Sequence, residues 1–323
     1  MWRFVARRTL WAIFLFFAVT FVTYIIFFVA PNDPAKLAAG KSATTEQVAQ
    51  VAKYLNLDEP VWKQYGLWLK QLVFEGSLGR SFVNRQDVND IVLSAAPVTA
   101  SLVFGGAVLW LLISIPVGVL SALKPRSVLD RSAMIFVLIG ISAHPVWIGL
   151  ILAFLFGSVL QWTPISGYCD VINPGLGAEC GGPVQWAYHL ILPWCTFALL
   201  FAALYVRLIR ANVMETMSED YVRTARAKGA SSGKVMRSHI LRNSMLPIVT
   251  ILGMDLALAL GGAIFTESIF GLPGLGRSVI VAYEKSDLPV IVGVVVFSTI
   301  VIIIFNLIVD CFYAVVDPRI RLT

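Results

Sequence analysis

The chain has 323 residues, 58% hydrophobic and only 14% charged, with a net charge of +6 and a mean hydropathy of +0.80. A soluble domain carries nearer ~25% charged residues, so a water-soluble globule is excluded, and in lipid only helices or closed barrels satisfy every backbone group. The apolar runs are continuous and about twenty residues long, which suits helices crossing ~30 Å of hydrocarbon and not the ~10-residue alternation of barrel strands.

Six membrane spans are predicted. They run roughly over Thr9–Ala30, Pro97–Leu123, Arg131–Leu160, Tyr188–Ile209, Leu246–Phe265 and Leu288–Val316. Pro116, Pro145 and Pro193 fall inside spans, where neighbouring helices can re-satisfy the carbonyls that proline frees. The first run follows Arg3, Arg7 and Arg8 like a secretion signal, but its ~22 apolar residues exceed the ~7–15 of a signal core. No small-residue cleavage site follows it, so it reads as an uncleaved anchor.

Between the first two spans, 31–96 is the one sizeable polar segment outside the membrane. Thr44 and Gln47 have capping-box spacing ahead of a helix toward Tyr54. Asp58-Glu59-Pro60 suits a second helix start, with Pro60 in its first turn. Val61, Tyr65, Trp68, Leu69 and Leu72 then recur at helical spacing. Gly76 to Ser81 reads as a turn, and Asp90 to Ala96 as a lead into span two. An amphipathic helix pair packed on the bundle mouth accounts for this segment without a ligand site.

Orientation follows from lysine and arginine. With the N-terminus inside, 16 of the 25 basic residues lie on inner segments, and the short outer loops hold only Arg277 and Lys285. Both termini are therefore expected in the cytoplasm. No aromatic-basic module accompanies the charge, so nucleic acid is not a partner. Four cysteines do not make a disulfide framework. Cys195 and Cys311 fall in spans as small apolar fillers. Cys169 and Cys180 share the outer loop between spans three and four, where a bridge is open because that side is oxidising.

No motif for catalysis stands out. Gly229 to Val235 imitates a phosphate loop, but the first glycine is one residue too close and Val235 replaces the magnesium-binding hydroxyl. His144, His189 and His239 lack metal-ligand spacing and read as packed or interfacial. The chain is therefore expected to be no enzyme, and to hold no metal and no cofactor.

The inner loop from Glu219 to Pro247 is basic and helix-forming. Tyr221 to Lys228 forms a helix on which Ala225 and Gly229 leave a low ridge, with Tyr221, Arg223, Arg226 and Lys228 around it; Gly229 ends or bends the helix. Lys234 to Asn243 is a second short helix, and Pro247 opens span five. From the residues alone two readings stand: a helix docking into a partner's groove, or a solvated loop on anionic lipid heads. Asp255, in span five, would cost ~2.5–3.5 kcal/mol facing lipid. It therefore lines a watery path or bonds to a neighbouring helix. Glu267, at the outer end of the span, carries the same two readings.

The motifs resemble a known family. Asp220-Tyr221-Val222-Arg223-Thr224-Ala225-Arg226-Ala227-Lys228-Gly229, then His239-Ile240-Leu241-Arg242-Asn243 and Pro247, resemble the coupling loop of the dipeptide and oligopeptide branch of bacterial ABC importer permeases. Leu57-Asp58-Glu59-Pro60 with Tyr65 resembles that branch too, as do Gly76 to Ser81 (Ser77 replacing an acid) and Pro97 to Leu102. So do Thr266 to Phe270 with Pro273 to Arg277, and Asp317 to Arg321. The resemblance runs nearly the whole chain in order. It implies an all-α integral membrane protein with six transmembrane helices and the MetI-like ABC importer permease fold, as a B-type subunit in the bacterial inner membrane. The expected divisions are a cytoplasmic tip and first span over 1–30, an outer helical segment over 31–96, a permease domain over 97–316 with the coupling loop at 211–245, and a cytoplasmic tail over 317–323.

The implied function is a permease subunit of an ATP-driven peptide importer. The implied partners are a second, C-type permease, two ATPase subunits that hold ATP and magnesium, an outer solute-binding protein, and membrane lipid. Import of nickel, glutathione or another small solute on the same fold is the alternative. An ATP-independent channel or secondary transporter is more distant, since neither inverted halves nor paired broken helices are visible.

Overall fold

A computed structural model describes residues 2–29, 34–39, 43–54, 57–172, 180–260 and 263–316, and among them there is no strand, only two isolated bridges. The helices are α1 (Trp2–Tyr24), α2 (Pro34–Ala39), α3 (Thr45–Tyr54), α4 (Val61–Phe74), α5 (Val88–Leu123), α6 (Val128–Ser142), α7 (Pro145–Leu152), α8 (Pro183–Ser218), α9 (Asp220–Ala227), α10 (Ser232–Val235), α11 (Arg242–Leu260), α12 (Ile264–Ile269), α13 (Leu275–Glu284) and α14 (Leu288–Val316). Three π-helical stretches, Ile25–Val29, Ala153–Val159 and Met236–Leu241, continue α1, α7 and α10. Five of the resulting helices are long and apolar enough to cross a membrane, and six if α6 with α7 counts as one bent span.

That bent pair corrects the expectation of one continuous third span over Arg131–Leu160. The chain turns by 107° between α6 and α7. Pro145 cannot continue a helix, and the residue before a proline avoids the helical region. His144 is accordingly extended and caps α7, its ring nitrogen accepting from the Val146 amide at 3.3 Å, with Pro145 in the first turn. Two further boundaries differ. Residues 90–96 are already helical, because α5 starts at Val88. Pro247 lies inside α11 and does not open it; the helical path from Ser232 to Leu260 is continuous.

The chain forms two compact units: Met1–Ala100 with Ala257–Ile264 and Pro273–Thr323, and Ser101–Leu256 with Phe265–Leu272. In the first, Val88, Val92 and Ala95 of α5 pack with Leu275, Ala282, Val290, Ile291 and Val294. Helix α4 adds a second core, where Tyr24 and Phe28 meet Leu72, Val292 and Val296. The expected capping box is present: the Gln47 amide donates to Thr44 Oγ1 at 3.3 Å, and the Thr44 amide donates to Gln47 Oε1 at 2.9 Å. The 81–82 turn is pinned by Asp287, which accepts from the Ser81 hydroxyl and, at 3.0 Å, from the Phe82 amide.

The second unit is built around α8. Its residues Ala202, Ala203, Tyr205, Val206, Ile209 and Val213 are all at most 1% exposed. Small residues let other helices approach it closely. A Cβ at Gly106 of α5 would sit 2.6 Å from the Phe197 ring, and one at Gly118 2.9 Å from Ile209. Without a hydrophobic driving force between helices in lipid, such close contact is what holds a bundle together. At 1.5 Å per residue a 36-residue helix is about 54 Å long, well beyond the ~30 Å apolar layer, so both α5 and α8, each of 36 residues, must tilt or project.

Candidate functional site

Glu219 is extended (φ −65°, ψ 144°), which breaks α8 and lets the chain turn directly into α9. Val222 is fully buried and anchors the short helix, while Tyr221, Arg223, Thr224, Arg226, Lys228 and Gly229 are exposed and Ala225 is half-buried. The Tyr221 hydroxyl accepts from Asn243 Nδ2 at 2.9 Å, so α9 is also tied to the first turn of α11. Arg223 lies 3.5 Å from Asp220, with side chains 71% and 96% exposed, a pair that contributes little.

Gly229 ends the helix as expected. It has φ +80°, its amide donates to Arg226 O at 3.0 Å, and the Ala230 amide donates to Ala225 O at 3.2 Å. Those two bonds make a Schellman closure, which needs a left-handed residue. A Cβ at Gly229 would meet nothing within 4 Å. The result is a short basic helix, held at both ends, on which Arg223, Arg226 and Lys228 are exposed.

Asp255 of α11 is half-buried and its Oδ2 accepts from the Tyr205 hydroxyl at 2.7 Å. The neighbouring-helix bond is thus present, and it fixes the carboxylate while leaving part of it open. Glu267, within α12, is fully buried. Cys169 and Cys180 are joined by a disulfide with Cα atoms 5.5 Å apart. Beside it, Gly167 N donates to Phe270 O at 3.0 Å and Tyr188 Oη donates to Trp162 O at 2.9 Å. The His189 ring lies beside Cys169, Nδ1 3.2 Å from its sulfur, and the ligand atoms of these three residues fall within 4.8 Å of one another. With the sulfurs bonded to each other, no thiolate is left to ligate a metal.

One polar cluster had no counterpart in the sequence reading. Asp130, buried at the start of α6, accepts from Arg210 Nε at 2.6 Å and Nη2 at 3.0 Å. It also accepts from the Ser121 hydroxyl of α5 and, at 2.8 Å, from the Arg126 amide. The one sequence signal was Ser127 three residues before Asp130, a capping pair whose bond, Asp130 N to Ser127 Oγ, is 3.2 Å. Nothing in the sequence brings Arg210 to it.

Residues 114–322 match the family described as binding-protein-dependent transport system inner membrane component, and residues 1–103 match its N-terminal region. The chain is 36% identical to the dipeptide transport system permease protein DppB of Escherichia coli K12, with 99% of each chain covered. It is also 36% identical to the di/tripeptide transport system permease protein DppB of Pseudomonas aeruginosa UCBPP-PA14, again over 99% of each.

Proposed function

This chain belongs to the family of binding-protein-dependent transport system inner membrane components, and from that premise we propose that it is the B-type permease subunit of an ATP-driven importer of di- or oligopeptides. It is a multi-pass inner-membrane permease subunit of a multi-component system. The relatives of full length named for dipeptide and di/tripeptide transport support the cargo. The observation that carries the mechanism is α9, a basic helix anchored by Val222, roped to α11 through Tyr221 and Asn243, and closed by left-handed Gly229.

In this reading the α9 side faces the cytoplasm. Tyr221, Arg223, Ala225, Arg226, Lys228 and Gly229 dock into one of two ATPase subunits, which bind the ATP and magnesium. A C-type permease supplies the other half of the path, and an outer solute-binding protein delivers peptide. ATP closes the ATPase pair, α9 moves with it, and α8 and α11 carry the displacement into the bundle. The nucleotide shifts the two states only by its differential affinity for them. Asp255, partly open and oriented by Tyr205, meets substrate or water in the path.

The test is Gly229→Leu in the assembled transporter. Membrane insertion stays intact, while peptide moved per ATP hydrolysed falls about tenfold, the upper part of the range for coupling mutations. Unchanged uptake in that variant rules out docking through this helix.

A further inference from the structure

We infer that the Asp130–Arg210 fork is the positioning pair that passes the displacement of α9 out of α8 and into α5 and α6. The inference rests on the coupling reading above and extends it to residues outside the loop. Arg210 lies on α8 about 15 Å before α9 begins, at 1.5 Å per residue, and no break interrupts α8 between Arg210 and Ser218. A push that α9 delivers across the Glu219 turn to Ser218 is therefore carried along unbroken helix to Arg210.

The fork then determines where it goes. Two parallel N–H···O bonds, at 2.6 and 3.0 Å, fix the guanidinium and the carboxylate in one plane. Such a pair resists both sliding and rotation, as a single bond or an apolar contact does not. The Asp130 and Arg210 side chains are 6% and 25% exposed, so water does little to screen them. The same carboxylate holds the last turn of α5 through Ser121 and the α5–α6 turn through the Arg126 amide. One acidic group thus gathers three helices at the end of the bundle nearest α9. Beyond it α6 runs to the 107° elbow at its junction with α7, so a displaced first turn of α6 is delivered to that bend.

A static strut and a relay differ in one measurable quantity, the peptide moved per ATP hydrolysed. The complete transporter, purified with its accompanying subunits and placed in proteoliposomes, is assayed for labelled dialanine uptake and ATP hydrolysis together. Asp130→Asn and Arg210→Gln are expected to lower uptake per ATP about tenfold while hydrolysis changes less than about twofold. The double variant is expected to be no worse than either single one, because both remove the same interaction. Arg210→Lys keeps the charge but not the fork and is expected to fall in between, as is Ser121→Ala. These two mild variants decide the question if the others fail to insert.

Unchanged uptake per ATP in the inserted variants overturns the relay, and so does a parallel loss of uptake and hydrolysis, the mark of a strut. Wild-type chain that neither retains an ATPase nor shows uptake overturns the coupling reading itself, a result distinct from both.

Discussion

At the residue scale, the loop's behaviour turns on one backbone angle. Gly229 sits at φ +80° with open space where a Cβ would go. Within this chain a small substitution there collides with nothing, so its effect on the loop itself is conformational. A left-handed non-glycine residue costs ~1–2 kcal/mol, and asparagine tolerates that region better than alanine. Gly229→Asn should therefore keep more uptake per ATP than Gly229→Ala, a comparison that one transport assay settles; the reverse order would mean that side-chain volume matters instead. Tyr205→Phe removes the hydroxyl that donates to Asp255. Interhelical hydrogen bonds in membranes average below ~1 kcal/mol, so the unfolding midpoint in mild detergent should drop modestly, and Asp255→Asn, which can still pair with Tyr205, should lower it less. The turn at Gly229 was legible because glycine after a helix-forming run has few other readings. Val222 was not: one apolar residue among charges looks like filler until its burial is seen. Arg210 and Asp130 are 80 positions apart, and no periodicity links them.

At the element scale, hydropathy located the spans but not their ends. Helices α5 and α8 extend past the apolar runs because amphipathic and polar residues continue the helix once packing supports it. Residues Asp90 to Ala96 are a case: they read as a lead-in, yet they are helical, and Val92 and Ala95, with Val88 just before them, pack in the core. Pro145 was visible in the sequence, but proline in a membrane run is compatible with either a kink or a fresh start, and only the cap on Val146 from His144 decides for the latter. Proline at 247 went the other way. The close approach of α5 to α8 yields a prediction of its own. Gly106→Leu would drive a side chain into Phe197, already 2.6 Å from a bare Cβ. Overpacking of this kind typically costs ~1–3 kcal/mol, so the variant should unfold at lower temperature than Gly66→Leu, where nothing lies within 4 Å.

At the scale of the whole molecule, the chain is one part of an assembly. Many large apolar side chains stay exposed, among them Leu138, Trp147 and Leu258, each more than 60% accessible. Such surface is stable only against lipid or another apolar helix. Reconstituted by itself with an outward peptide gradient, the chain should give no flux above empty liposomes; flux from the lone chain would favour a self-contained channel. The family, the helical class and the membrane location were readable because composition and motif order are global properties, insensitive to any one contact. What the sequence did not reveal, the fork and the anchoring of α9, depends on residues brought together across several helices. The Cys169–Cys180 disulfide between α7 and α8 has a practical corollary. Bonds of that kind form where oxidants reach them and are kept open in the cytosol, so in living cells this pair is a built-in reporter of sidedness. Thiol labelling of intact cells before and after reduction would read which way round the protein sits, with no tag or fusion added.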